Sequence, residues 1–309
     1  MSQKNLVADI CQSAARTDKN LKNPMGLAMS KKSIWVTTNN TGLIIQYDKD
    51  GCASKNIRVV SGSPTGIVRV KNKGFPITSN GVTGHPKFIV VTSSGSIEGY
   101  NPCVLGNSTV VATAANGRFF TGVAIIKNRL YIANHGNGSI DVYDCNWNFV
   151  KSIVDNALKS DGYHPLNVVN HEDHLYVSHT FYGTLTNGMS TVTNTTADNV
   201  GNGYITKYLG ICDHPIRLAS RGSLSIPYGM LIMRNLLYVS NNVHGTISIY
   251  ELPEKNHEPA KYLSNVSTHG GGFIINDGIW AIAEKSENLW LVAGNQRGAH
   301  GSLASITWN

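Results

Sequence analysis

The chain has 309 residues, 31 of them Gly; 15% are charged and 41% hydrophobic, and 26 Lys and Arg stand against 19 Asp and Glu for a formal net charge of +7. This balance excludes a disordered chain, which would be richer in charge, a coiled coil dominated by Ala, Glu, Lys and Leu, and collagen with Gly at every third place. The length allows one large all-β unit or two ordinary domains.

No run approaches the roughly 18 apolar residues of a membrane span, and residues 1–10 lack the apolar core of a secretory signal. The expectation is a chain with no transmembrane segment and no Sec signal, cytosolic or packaged in a particle. Cys11, Cys52, Cys103, Cys145 and Cys212 are too widely spaced for a disulfide scaffold and form no Cys-x-x-Cys pair. Asn-x-Ser/Thr occurs at Asn39, Asn107, Asn137, Asn194 and Asn265, and carries little weight without an export signal. The heavy use of Asn fits an AT-rich genome such as those of some protists, bacteria and large DNA viruses.

In chain order, residues 5–10 read as a lone strand. A short apolar opening at 23–28, a strand-turn-strand at 34–47 and a strand at 55–60 follow. The pattern restarts at 63–67, is interrupted by an insertion at 74–89, and resumes with a hairpin at 88–100. Third and fifth copies have openings at 120–124 and 226–230 with hairpins at 130–143 and 237–250. In the fourth, the opening at 164–168 leads to a strand at 175–179, a Thr- and Asn-rich excursion at 183–200 and a strand at 203–208. The sixth opens at 276–280 and closes with strands at 289–293 and 302–308. Short β-branched and aromatic runs broken by Gly and Asn are strand signals, and no capped segment of helical length appears. Units of about 50 residues with four strands each predict an all-β, six-bladed β-propeller. Blades start near 23, 63, 119, 163, 225 and 276 of one domain spanning 1–309. The last unit ends without an outer strand, so residues 5–10 are expected to supply it and close the ring. The Gly content reads as hairpin turns, and four of the five Cys follow the recurrent Tyr at the turn between third and fourth strands.

Residues 25–28, the insertion at 74–89, the segment 95–102 and the ending at 299–303 resemble an uncharacterised, mostly bacterial six-bladed β-propeller family of NHL-like style. The resemblance covers nearly the whole chain and implies the fold. Met25 and Tyr228 depart from it, standing where Trp is expected, and it brings no activity to carry over.

With the four strands of each unit lettered A to D in chain order, ligands are expected, by analogy with other propellers, over the channel on the face built from D–A connections and B–C turns. His135, His164, His179, Asn241, Asp277 and His300 fall there as candidate ligand or metal residues. Three converging His would suit zinc, whereas a calcium site wants more carboxylates than Asp277 supplies. No cofactor is predicted, and a central divalent metal is the one such group the ring allows. The opposite reading is that these are ordinary turn residues bonded to loop backbone. His-Glu-Asp-His at 171–174 and Asp-Lys-Asp-Gly at 48–51 read as polar turns. Residues 1–73 hold 12 Lys and Arg against four acids, including Lys19, Lys22, Lys31, Lys32, Lys71 and Lys73, while the remainder is nearly balanced. Such a basic sector attracts an anionic surface or acidic protein. No nucleic-acid motif accompanies it, so specific nucleic-acid recognition is not expected. The leading expectation is a non-enzymatic binding or assembly module with a protein partner or self-assembly. The alternatives are a metal-assisted lyase or hydrolase at the channel mouth, and a structural component of a particle such as a virion.

Overall fold

The computed structural model describes residues 1–308 apart from 115–116, 183–184, 187–190, 193–200, 211–213, 268–271, 273 and 275. β1 (Ser2–Ala8) and β2 (Arg16–Thr17) lead into the first blade, formed by β3 (Pro24–Met29), β4 (Ile34–Thr38), β5 (Leu43–Tyr47) and β6 (Ala53–Arg58). The second blade begins with β7 (Pro64–Arg69) and runs through an inserted hairpin, β8 (Ile77–Ser79) and β9 (Val82–Gly84). It is completed by β10 (Phe88–Thr92), β11 (Ser96–Tyr100), the helical turn α1 (Pro102–Leu105) and β12 (Val110–Ala114). The third comprises β13 (Phe120–Ile126), β14 (Arg129–Asn134), β15 (Ser139–Tyr143) and β16 (Phe149–Ile153), followed by α2 (Asn156–Ser160). The fourth has β17 (Tyr163–His171) and β18 (His174–Phe181), then β19 (Leu185–Thr186) and β20 (Thr191–Val192) within the excursion, then β21 (Gly203–Tyr208) and β22 (Ile216–Ser220). The fifth consists of β23 (Pro227–Met233), β24 (Leu236–Asn241), β25 (Thr246–Glu251) and β26 (Lys261–Asn265), and the sixth of β27 (Ile279–Lys285), β28 (Asn288–Ala293), α3 (Asn295–Gly298) and β29 (Ser302–Thr307). Within each of the first five blades the strands pair in sequence order, and in the sixth β27, β28 and β29 do so before β1; we call the four strands A to D from the axis outward.

Closure follows the sequence expectation with a shifted register. β1 pairs antiparallel with β29, from Ser2 opposite Thr307 to Ala8 opposite Ser302, and so forms the outer strand of the sixth blade three residues earlier than the pattern indicated. The pairing removes an open edge on that blade.

All six blades share one register at the inner end. Pro24, Pro64, Phe120, Pro165, Pro227 and Ile279 of the A strands stand opposite Thr38, Thr92, Asn134, His179, Asn241 and Ala293 of the B strands, and a register shift follows in each. Gly26, Gly66, Gly122 and Gly229 lie at this bulge, within the apolar openings read from the sequence. They are strand residues, and they let neighbouring A strands approach backbone to backbone. A Cβ on Gly66 would stand 2.9 Å from Gly122 Cα, one on Gly122 2.8 Å from Asn167 Cα, and one on Gly229 2.6 Å from the Trp280 carbonyl oxygen. No side chain fits such gaps, which is why a residue without Cβ recurs there.

Between blades the core is a series of apolar seams. Ala133, Ile140 and Val142 of the third blade pack with Val168, Leu175 and Val177 of the fourth, all buried. The recurrent aromatics Tyr47, Tyr100, Tyr143, Tyr208 and Tyr250 are buried at the ends of the C strands. Each contributes roughly 2 kcal/mol of apolar burial. The 74–89 insertion leans across one seam: Phe75 packs on Trp147 of the third blade at 5.3 Å between ring centroids, and the Trp147 indole donates to the Pro76 carbonyl at 2.7 Å. Cys52, Cys103 and Cys145 carry free thiols near the C–D turns, as does Cys11 in the lead-in; Cys212 lies outside the described residues.

Candidate functional site

The propeller presents two faces around its channel, one built from D–A connections and B–C turns, the other from A–B and C–D turns. At the first, the A strands place Met25, Thr65, Thr121, Leu166, Tyr228 and Trp280 in a ring, and all six are buried. Met25, Leu166, Tyr228 and Trp280, from four different blades, belong to a single apolar cluster, so this layer closes over the axis. The Tyr228 hydroxyl reaches across it and donates to the Thr121 carbonyl at 2.6 Å, while Trp280 donates to Asn23 Oδ1 at 3.1 Å. The channel that remains, lined by Gly26, Gly66, Asn167, Gly229 and Ala281, encloses about 80 Å³. That is room for a few waters and not for an organic ligand.

The candidate histidines sit at the rim of this layer, and each has a hydrogen-bonding task. His135 Nδ1 lies 3.1 Å from the Pro165 carbonyl of the next blade. Asn39 and Asn242, in the corresponding places, donate to the carbonyls of Pro64 and Ile279 at 3.2 and 3.3 Å. His135 is thus one of three residues, with Asn39 and Asn242, that tie the B–C turns of alternate blades to the next A strand. Because a carbonyl only accepts, Nδ1 carries the proton and the ring is neutral; burial pulls its pKa down to about 4. His164 Nδ1 donates to the His135 carbonyl at 2.6 Å, and burial lowers its pKa too. The two rings meet edge to face at 5.7 Å, with Tyr182 lying 4.4 Å from His164. His179 turns instead into the seam between third and fourth blades. Its Nε2 contacts Thr206 Oγ1 at 2.8 Å, and burial with the nearby Arg217 charge lowers its pKa to about 3.

The remaining candidates do not join them. Asn241 is buried, accepting from Ser225 N–H at 3.0 Å and donating to Ser248 Oγ at 2.9 Å. Exposed Asp277 accepts from Gln296 N–H at 2.5 Å. His300 pairs with Asp9 of the lead-in at 2.9 Å. Of the three His weighed for zinc, the structure brings two together. Among the described residues, no group of three or more His, Cys, Asp or Glu is arranged to hold a metal ion. The excursion at 183–200 lies outside the described residues except for β19 and β20, of which β20 comes beside α3 of the sixth blade. The turns at 171–174 and 48–51 are polar turns, the latter closed by Asp48 Oδ1 accepting from the N–H groups of Asp50 and Cys52.

Sequence reasoning missed two buried carboxylates on inward positions of the C strands. Glu98 accepts from the N–H groups of Val60 and Ser61 at 3.0 and 2.9 Å and from Thr109, stitching the second blade to the end of the first. Asp141 accepts from Arg118, Asn134, Ser139 and Ser152. Their signal was one acidic residue two places before the recurrent Tyr. Both are satisfied structural groups.

The opposite face is open. A cavity of about 430 Å³ lies at the A–B mouth among the second, third and fourth blades. Its floor is apolar, with Ile67, Phe75, Val123 and Val168; Arg69, Lys71 and Lys127 stand on its walls beside Asn72, Asn128 and Asn170. Asp173 also lines it and is paired with Lys127 at 3.4 Å. Arg69 and Lys71 form no ion pair among the described residues. The basic sector divides between the two faces. Lys31 and Lys32 occupy the A–B turn of the first blade, and Lys71 and Lys73 follow the A strand of the second, all exposed on the cavity face. Lys19 and Lys22 flank Asn20, whose carbonyl accepts from Thr41 of a B–C turn, and so lie on the other face.

The fold therefore defines a six-bladed β-propeller closed by its N-terminal strand. No family model matches the chain. Its sequence is 28% identical over 292 residues to an uncharacterised protein of Acanthamoeba polyphaga mimivirus, covering 87% of this chain and 75% of that one. A second uncharacterised mimivirus protein is 27% identical over 301 residues, covering 90% and 72%. These relatives come from a giant virus, and the bacterial leaning of the sequence resemblance finds no support in them. Among solved structures, virginiamycin B lyase from Staphylococcus aureus matches with a TM-score of 0.55 at 11% identity over 99% of this chain and 98% of that one. A chain of a nidogen/laminin complex matches with a TM-score of 0.57 at 14% identity over 84% of each. At such identities the likeness is one of fold.

Proposed function

We propose that this protein is a non-enzymatic binding or assembly module that engages an acidic protein partner through its A–B face. The observation carrying this reading is the contrast between the two mouths. One is filled by Met25, Leu166, Tyr228 and Trp280, whereas the other keeps an open cavity edged by unpaired Arg69 and Lys71 and flanked by Lys31, Lys32 and Lys73. Unpaired cations grouped on one face create a field that steers and holds an anionic partner, and that field weakens with salt. The relation to uncharacterised proteins of a giant virus is compatible with a role in particle assembly.

The test is calorimetric titration with poly-glutamate at low and at physiological salt. Binding should appear at low salt, weaken with added salt, and be abolished by combined Lys31→Glu, Lys32→Glu, Lys71→Glu and Lys73→Glu. Combined Lys19→Glu and Lys22→Glu, on the opposite face, should leave it intact. Equal loss in the two sets, or tighter binding of duplex DNA than of poly-glutamate, would refute the reading.

A second reading, metal-assisted lyase or hydrolase chemistry, draws on one observation: His135 Nε2 and His179 Nδ1 are buried without a hydrogen-bond partner. Stoichiometric zinc in purified protein, lost in His135→Ala and His164→Ala variants, would support it over the binding module.

A further inference from the structure

We propose that the A–B cavity is an anchor pocket, seating one aromatic side chain carried within an acidic segment of the partner. This rests on the binding reading above and adds what the partner must present. The cavity floor is made by Ile67, Phe75, Val123 and Val168, three of them inner-strand residues and one from the insertion. Phe75 is 1% exposed and holds a left-handed backbone conformation, φ 57°, which an aromatic residue adopts only where its surroundings enforce it. Its N–H donates to the Cys145 carbonyl at 2.9 Å, and its ring rests on Trp147. The insertion is thereby fixed against the third blade, and the pocket wall it provides is preformed. A preformed pocket of about 430 Å³ with an apolar floor and a polar rim is of a size that accepts a large side chain or a small ligand.

Charge decides between those two occupants. Arg69, Lys71 and Lys73 follow one another at alternate positions along the chain leaving β7, with Lys31 and Lys32 on the neighbouring A–B turn. This row extends beyond the cavity, further than a single small anion would use, and matches carboxylates distributed along a peptide on either side of an anchor. Among the described residues Asp173 is the one acidic group on the cavity wall, and its pairing with Lys127 leaves Arg69 and Lys71 to face the ligand. An aromatic anchor filling a desolvated pocket, ringed by charges that set orientation, is the arrangement in which few residues dominate an interface.

The experiment uses the full chain and three fluorescein-labelled seven-residue peptides followed by anisotropy. One has Glu on both sides of a central Trp, the second replaces that Trp with Ala, and the third keeps Trp and replaces Glu with Gln. The acidic Trp peptide should bind about ten-fold more tightly than the acidic Ala peptide, corresponding to burial of one aromatic ring. Asn72→Trp, on an exposed rim position, should remove that difference without changing the thermal midpoint, and Arg69→Ala should weaken both acidic peptides. Equal affinity of the two acidic peptides would overturn the anchor pocket while the acidic-partner reading stands. Binding of the Gln peptide as tight as that of its acidic counterpart would overturn both. N-acetyltryptophan binding as tightly as the acidic Trp peptide would replace the peptide with a small-molecule ligand.

Discussion

Asp9 and His300 lie 291 positions apart in sequence, yet Asp9 Oδ2 is 2.9 Å from His300 Nδ1, and Asp9 Oδ1 accepts from the Gly301 N–H at 3.0 Å. The Asp9 N–H returns a bond to the Gly301 carbonyl at 3.2 Å. The Asp9 side chain is 3% exposed, so the carboxylate where β1 leaves β29 is a buried, fully partnered latch on the ring closure. Asp9→Ala leaves the His300 and Gly301 donors without acceptors and should cost about 2–3 kcal/mol in urea unfolding, while Asp9→Asn, which keeps an acceptor, should cost about half as much. A loss in Asp9→Ala no larger than that of an exposed-site control such as Lys4→Ala would remove the latch from the account.

Stability should fall in acid through the buried histidines. His135 and His179 have pKa values lowered by burial to about 4 and about 3, against an unfolded value near 6.5. The native state holds the neutral rings, so their contribution is complete above pH 6.5 and is lost as pH drops toward 4 and then 3. For His135 alone the loss approaches about 3 kcal/mol. His135→Asn should be informative because Asn39 and Asn242 already make the equivalent bond to the next blade. The variant should fold, keep its stability at pH 7 and flatten the acid limb of stability against pH between 6.5 and 4. An unchanged acid limb would mean that protonation of this ring does not drive the loss.

The strand glycines make a third test. Gly122→Ala places a methyl group 2.1 Å from Asn167 Oδ1 and 2.8 Å from its Cα, backbone that cannot move without parting the third and fourth blades. Overpacking of this kind costs about 1–3 kcal/mol. The measurement is the shift in chemical denaturation midpoint for Gly122→Ala and, separately, Gly66→Ala, whose added methyl would stand 2.9 Å from Gly122 Cα. Tolerance at both positions would show that the A strands have slack at the axis.

Much of the architecture is legible in the sequence because every blade repeats an apolar opening and a hairpin, and five of the six end the hairpin on a buried Tyr such as Tyr143 or Tyr250. The sites are less legible, because equivalent positions hide behind different residue types. His135 has the look of a ligand until it is placed in the row of Asn39 and Asn242, where an amide performs the same hydrogen bond. Gly66 and Gly122 fall in the apolar openings, but the near approach of another blade, which excludes a side chain there, is invisible along the chain. The basic run is divided by geometry: Lys22 and Lys31 flank the six-residue strand β3, which carries the chain about 20 Å from one face to the other. The cavity needs residues from three blades and an insertion, a convergence that no local pattern contains.

Tyr228 offers a test of the filled axis. Its hydroxyl crosses from the fifth blade to the Thr121 carbonyl of the third at 2.6 Å, its ring packs on Trp280 at 5.1 Å, and its own carbonyl accepts from Asn167 Nδ2 at 3.0 Å. Tyr228→Phe keeps the ring and loses one buried hydrogen bond, for about 1 kcal/mol, whereas Tyr228→Ala removes the aromatic plug and should cost about 3–5 kcal/mol. If the axis is filled for stability and the recognition groups lie on the A–B face, Tyr228→Phe should leave poly-glutamate binding unchanged while lowering the denaturation midpoint. Loss of that binding in a folded Tyr228→Phe variant would instead place a ligand contact at the axis, on the side of the channel where the histidines stand.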